Sequence, residues 1–297
     1  MKSPSNFPQP IQPDNSPKYR NDDEKLIEEK GKWAMSLYKR EGMSNIQAGY
    51  GYGVSAPNPN YEERTLQTAI NSQIGEFPKT TSITMPNGKT YDFSVEKGMV
   101  NPDNFSITYR VAKDFPYADL ENKSFLEIGP GIGVQMVLVG ERAKKVVGVE
   151  LNPNAVQVAS SNISRYSTKG NIEIRQGNMF EALTPEEKFD CIYFHIPYFY
   201  SDDVTEGQIK EQYADTGLYE AMYDKNYEAL VRFIYSGRKL LNSSGYLLLL
   251  YSDSISMDTL NALIKDADMK EEVVKQYQSQ KRKSPPLSFT LLKISNK

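Results

Sequence analysis

One cysteine, one histidine and one tryptophan occur in 297 residues. A single Cys191 excludes an internal disulfide and a cysteine-built zinc site, and a single His195 excludes a multi-histidine metal centre, so no metal is expected. Charge of one sign is also missing. With 35 Lys+Arg against 38 Asp+Glu the net charge is −3. The chain therefore has no overall basic field, and this weighs against nucleic acid as a partner. The longest strongly apolar run, at 247–250, is far too short to cross a bilayer, and the opening MKSPSNFPQP has no apolar core of the signal-peptide kind. These absences lead us to expect a soluble cytoplasmic protein without a membrane partner; oligomeric state is not legible. The length corresponds to roughly two units of about 150 residues, or one large domain with an extension.

Five prolines in residues 1–20 and little to bury read as a disordered tail. A helix is expected over 21–40, with Leu26, Trp33 or Ala34, and Leu37 on one face and Gly42 as its end. A second is expected over 61–74, carried by Leu66, Ile70 and Ile74. SITM, Pro86-Asn87-Gly88 and KTYDFSV spell a β-hairpin. Residues 21–110 thus form an N-terminal helical and hairpin accessory or lid region.

The pattern changes from Asn122 onward, and we assign 111–297 to one domain. Strand candidates at 124–129, 145–151, 172–177, 189–196 and 245–252 alternate with helical patterns at 131–142, 153–166, 218–242 and 256–267. Nearly continuous apolar strands with helical crossovers predict an α/β fold with a parallel sheet covered on both faces. Two last strands, 271–278 and 289–295, lack a crossover helix between them and should pair antiparallel, for seven in all.

The first of these strands runs into Glu127-Ile128-Gly129-Pro130-Gly131-Ile132-Gly133. A dinucleotide fingerprint would need glycine at Val134, and it would not call for an acid inside the strand. Glu150 ends the next strand, where a carboxylate can accept both hydroxyls of a ribose. Asn178 and Met179 follow the third strand, a polar and an apolar side chain suited to an adenine ring.

FLEIGPGIG, VVGVELNPNAV, RQGNMFEAL and FDCIYFHIPYF, in this order and spacing, resemble the class I S-adenosylmethionine-dependent methyltransferases. The resemblance covers about 120–297 and implies a Rossmann-like seven-stranded sheet with an antiparallel last hairpin. It implies S-adenosyl-L-methionine as cofactor. Gly129, Gly131 and Gly133 would line its methionine part, with Glu127 near the amino group. Glu150 would hold the ribose, and Asn178, where the family normally has Asp, would flank the adenine with Met179. Leu151 and His195 complete the expected cofactor-binding set.

His195-Ile196-Pro197-Tyr198 resembles the N-P-P-Y signature of methyltransferases acting on planar amino groups, such as release-factor glutamine and adenine methyltransferases. The segment 95–115 also resembles the element that precedes the domain in that group. The resemblance makes His195 and Tyr198 the catalytic pair, with Pro197 beside them. Imidazole can accept a hydrogen bond or a proton, whereas the Asn amide it replaces cannot take a proton. His195 is therefore expected to orient the acceptor, to serve as general base, or only to shape the rim. Gly-flanked Tyr50 and Tyr52 read either as an aromatic lid or as an ordinary surface loop. Asp202, Asp203 and Glu206 either face an amine-bearing acceptor or are simply solvated, and the Lys281-Arg282-Lys283 cluster is too short to argue for nucleic acid.

The histidine and the acidic pI of about 5.5 favour a small-molecule acceptor of the kind met in secondary metabolism. The alternatives are a protein glutamine, a nucleic-acid base, or intramolecular displacement on the cofactor itself by a cyclase.

Overall fold

The computed structural model describes residues 21–47, 70–104, 107–201, 218–252, 256–278 and 288–297, with the isolated residues 68, 207 and 211. The expected tail, Tyr50, Tyr52, Asp202, Asp203, Glu206 and the basic cluster lie outside the described residues. Helix α1 (Asn21–Gln47) precedes a hairpin of β1 (Lys79–Thr84) and β2 (Thr90–Val95), then α2 (Ile107–Asp114). The alternating part comprises β3 (Ser124–Ile128), α3 (Val134–Gly140), β4 (Lys145–Glu150), α4 (Pro153–Tyr166), β5 (Ile172–Gln176) and β6 (Phe189–His195). A short β7 (Phe199–Ser201), α5 (Tyr219–Met222) and β8 (Tyr223–Lys225) lead to α6 (Glu228–Tyr235). The chain closes with β9 (Leu241–Ser252), α7 (Met257–Asp266), β10 (Met269–Gln278) and β11 (Ser288–Asn296).

The main sheet has seven strands in the order β10-β11-β9-β6-β3-β4-β5. β9, β6, β3, β4 and β5 pair parallel, while β11 is antiparallel to both of its neighbours. This is the expected α/β architecture, and β11 alone is reversed. Period-two alternation sorts the apolar side chains onto two faces. Ile192, Phe194, Leu247, Leu249 and Ile294 pack with α1, α6 and α7. Cys191, Tyr193, Leu248, Leu250 and Leu291 pack with the hairpin, α2, α3 and α4. The N-terminal segment is thus split, with α1 on one face and the hairpin on the other.

Asp190 ties three strands together where β6 begins. Its Oδ2 accepts the Ser124 backbone N–H and hydroxyl, both at 2.8 Å, and its Oδ1 accepts the Asn242 amide at 2.9 Å. Helix α4 starts as its sequence dictates, with the Asn152 side chain accepting the Asn154 N–H and Pro153 in the first turn.

Three expectations are corrected. Helix α1 runs through Gly42 to Gln47, because an interior glycine costs only about 1 kcal/mol and does not end a helix. Its buried face is Ile27, Gly31, Ala34 and Met35, with Leu26, Trp33 and Leu37 only partly covered. The stretch at 61–74 is helical no further than residue 72 among the described residues, and Ile74 is exposed. There Lys79 Nζ donates to the Ser72 and Ile74 carbonyls, and Gly75 turns the chain at φ +101°. The single helix expected over 218–242 is broken, since Asn226 and Tyr227 adopt φ +52° and +60°. Tyr223–Lys225 pair with β7 instead, and the Asp224 carboxylate takes the Ala229 and Leu230 N–H groups at 2.8 and 3.0 Å to cap α6.

A Cβ on Gly31 would lie 2.6 Å from the Asn226 carbonyl oxygen, so the α1 backbone sits directly on this strained turn. We predict that Gly31→Ala lowers stability by about 1–3 kcal/mol, because the backbone clash outweighs the ~1 kcal/mol gain in helix propensity. Thermal melting followed by circular dichroism checks this. An unchanged or raised Tm would contradict the tight α1 contact.

Candidate active site

Residues in register on neighbouring strands share a face. Glu127 on β3 stands opposite Tyr193 on β6 and Gly148 on β4. His195 lies two residues past Tyr193, and Glu150 two past Gly148. Glu127, Glu150 and His195 therefore converge on one face of three adjacent strands, at the carboxyl edge where open α/β sheets bind ligands.

Gly129, Gly131 and Gly133 leave β3 with φ +62°, +56° and +84°, conformations that L side chains rarely adopt. A Cβ on Gly131 would meet nothing within 4 Å, and one on Gly129 only Phe194 Cε2 at 3.9 Å, so this part of the loop borders open space. Gly133 is different: its Cβ would lie 3.3 Å from Ala159 Cβ, and it serves the packing of α3 on α4.

Glu127 is buried, and its Oε2 has no partner among the described residues. Burial, and then the neighbouring Glu150, push its carboxyl up to about 8. Glu150 accepts the Gly131 and Asn152 N–H groups, each at 2.9 Å, so it braces the glycine loop directly. Burial raises its pKa while these donors oppose the rise. Further along the edge Leu151 is half-exposed, Asn178 is exposed, and Met179 is buried at φ +50°.

His195 Nε2 is shielded from solvent and has no hydrogen-bond partner among the described residues. Burial alone pulls the imidazole down to about 4, so the ring is neutral at pH 7. Such a ring can accept a hydrogen bond and is a weaker base than an ordinary imidazole. Buried Tyr198 packs against it edge-on, with centroids 5.5 Å apart and planes at 82°, and Pro197 is buried beside them.

Two residues escaped the sequence reading. Phe289 on β11 comes within 6.4 Å of the His195 ring centroid, a contact visible only once the strands are paired. Asp224 is buried, with its carboxyl pushed up to about 7 by burial, and it fixes the β7–β8 arm that follows Tyr198. No local motif marks either one.

The family model for a methyltransferase domain matches residues 119–289. This chain is a member of the methyltransferase-domain family. A putative protein N5-glutamine methyltransferase of Methanocaldococcus jannaschii is 33% identical to this methyltransferase over 147 residues, 49% of this chain and 70% of that protein. A probable ribosomal RNA small subunit methyltransferase A of Methanosarcina mazei is 36% identical over 109 residues, but these span only 37% of this chain and 36% of that protein. Trm5 of M. jannaschii, solved in complex with adenosine, shares the fold at TM-score 0.50 and 15% identity, covering 75% of this chain and 58% of that one.

The methyltransferase uses S-adenosyl-L-methionine, and the residues present fit it. A buried carboxylate oxygen without a partner suits an ammonium, and Glu150 keeps lone pairs for ribose hydroxyls. Among the described residues no cluster of metal-ligating groups occurs, and no helix is long and apolar enough to cross a membrane.

Glu127→Gln should weaken binding of S-adenosylhomocysteine about tenfold or more in calorimetry, because a charge-assisted contact to the amino group is lost. The same residue sets a pH dependence in the cofactor-free protein. Its carboxyl titrates near 8 when folded against 4.5 ordinarily, so its contribution is complete below about pH 4.5 and is lost as pH rises through 8. Asp224, at about 7 against 3.8, acts in the same direction. Melting temperatures should therefore fall from about pH 5 to 8, and less steeply in Glu127→Gln. Equal slopes in the two proteins would contradict the assignment.

Proposed function

We propose that this methyltransferase acts on a planar nitrogen bearing N–H, first of all the side-chain amide of a protein glutamine. The observation that carries the reading is the neutral His195, whose Nε2 has no hydrogen-bond partner among the described residues, beside Tyr198, where the resembling enzymes place Asn and Tyr. A planar N–H acceptor needs an oriented hydrogen-bond acceptor in the protein rather than a strong base, and neutral imidazole supplies one. When bound, S-adenosyl-L-methionine supplies an electrophilic methyl group on a sulfonium. Glu127 would hold its amino group and Glu150 its ribose, while His195 would fix the acceptor nitrogen by its N–H, with Tyr198 packed edge-on against the imidazole. The M. jannaschii relative, named for protein N5-glutamine, supports this acceptor over the small molecule expected from charge and the altered signature.

The second reading, an RNA base, has the M. mazei relative in its favour. The chain spans about a third of that protein, and its net charge of −3 supplies no general attraction to phosphate. Tritiated cofactor incubated with the enzyme and a cell extract separates the readings. Label recovered from hydrolysed protein as N5-methylglutamine is the expected result. Label in RNA selects the second reading, and label confined to small molecules overturns both.

With the acceptor in hand, His195→Asn should retain turnover within about tenfold, because Asn again offers an acceptor atom, whereas His195→Ala should lose about tenfold to a hundredfold. The pH–rate profile should show no histidine inflection between about pH 5.5 and 7.5, because the ring titrates near 4. Unchanged turnover in His195→Ala would remove His195 from the mechanism.

A further inference from the structure

Strand β9 separates β6 from β11, and the register carries the face of His195 across it. His195 pairs with Leu250, and Leu250 with Leu291. One pleat nearer the carboxyl edge, Ser252 pairs with Phe289. Phe289 thus stands on the same face and at the same edge as His195. Its ring lies 6.4 Å from the imidazole at 83° and 5.6 Å from Tyr198 at 78°, while Tyr198 and His195 meet at 82°. Three nearly perpendicular rings, drawn from two distant parts of the chain, close a corner around the imidazole. Val100, from the segment between β2 and α2, packs against the same apolar cluster as Phe289. Since no hydrogen bond holds Nε2 among the described residues, packing by ring edges is what fixes this side of the imidazole.

We propose that Phe289 is a positioning residue of the acceptor site: together with Tyr198 it holds the His195 ring by edge contacts and keeps water from Nε2, leaving that atom for an N–H of the acceptor. The proposal rests on the reading of His195 as the group that meets the acceptor. Removing the Phe289 ring opens one wall of the corner, lets the imidazole rotate, and admits water that competes for Nε2. Among the described residues, the ionisable groups on this face of the neighbouring strands are Cys191 and Tyr193 on the same strand, Glu127 on β3, Glu150 on β4 and Tyr246 on β9, and Tyr198 packs on the ring. None of them contributes to the lowered pKa, for which burial is the one cause.

His195 is the only histidine of the 297 residues, so imidazole NMR of this chain reads this ring without assignment. We expect a titration midpoint near 4 in the parent protein. Phe289→Ala should move it upward by about one unit or more, toward the ordinary 6.5. Phe289→Tyr, which restores the ring, should return both the midpoint and the resonance positions. Phe289→Leu, which keeps apolar bulk without a ring edge, guards against loss of folding and should still shift the resonances. A purely structural role would lower Tm and leave the imidazole signals where they are. A normal midpoint in the parent, or unchanged imidazole signals in folded Phe289→Ala, overturns the proposal. In turnover assays Phe289→Ala should raise the acceptor KM about tenfold while S-adenosylhomocysteine affinity stays constant, and an unchanged acceptor KM would also overturn it. Because the NMR arm needs no acceptor, failure of the glutamine assignment is read separately, from the labelling experiment.

Discussion

The site depends above all on the register among β6, β3 and β4. A slip of one residue in β6 would turn His195 to the opposite face, against α6, and would carry Tyr193 and Cys191 with it. The Asp190 carboxylate resists that slip. It accepts from Ser124 on β3 and Asn242 on β9, so both neighbours of β6 are pinned at the edge opposite the site. The amino ends of the strands thus set the alignment, and the carboxyl ends present the chemistry.

At that working edge the molecule holds polar groups under desolvation. Glu127 and Glu150 are both buried; each Glu150 oxygen accepts a backbone N–H, whereas Glu127 Oε2 has no partner among the described residues. An unmatched buried oxygen is costly in a fold without ligand and useful in one that must receive a cation. His195 follows the same logic from the other side of neutrality. Burial disfavours its charged form, which keeps the ring neutral and makes it a weaker base. Stability is given up where binding needs prepared groups.

The N-terminal segment contributes to both faces. Helix α1 docks through Gly31 on the Asn226–Tyr227 turn, and Arg232 grips Glu24 with two hydrogen bonds of 2.6 and 2.8 Å. Tyr38 of α1 also packs on Tyr200 and Tyr227, the stacked pair at the base of the arm that follows Tyr198. The hairpin is tied to the opposite side, where Asn162 of α4 links Ser94 to the Ile132 carbonyl beside the glycine loop. The extension therefore braces the β7–β8 arm from one face and the glycine loop from the other.

Much of this was legible in order along the chain. Apolar strands, helical spacing and turn residues are local signals, so the parallel sheet, the antiparallel last pair and the hairpin could be read directly, and with them the placement of Glu127, Gly129, Gly131 and Glu150 at one sheet edge. Local signals mislead where tertiary contacts outweigh propensity. Helical periodicity over 218–242 gave way to β7–β8 pairing and the Asp224 cap, and Gly133 proved to face α4 rather than open space. By itself the sequence determined the fold class and the residue types at the sheet edge, because both follow from spacing of a few residues. Only the tertiary structure decided that burial pulls the His195 imidazole below its ordinary value and that Phe289 stands beside it. A pKa depends on what excludes water from all sides, and the proximity of residues 195 and 289 exists only through strand pairing across β9.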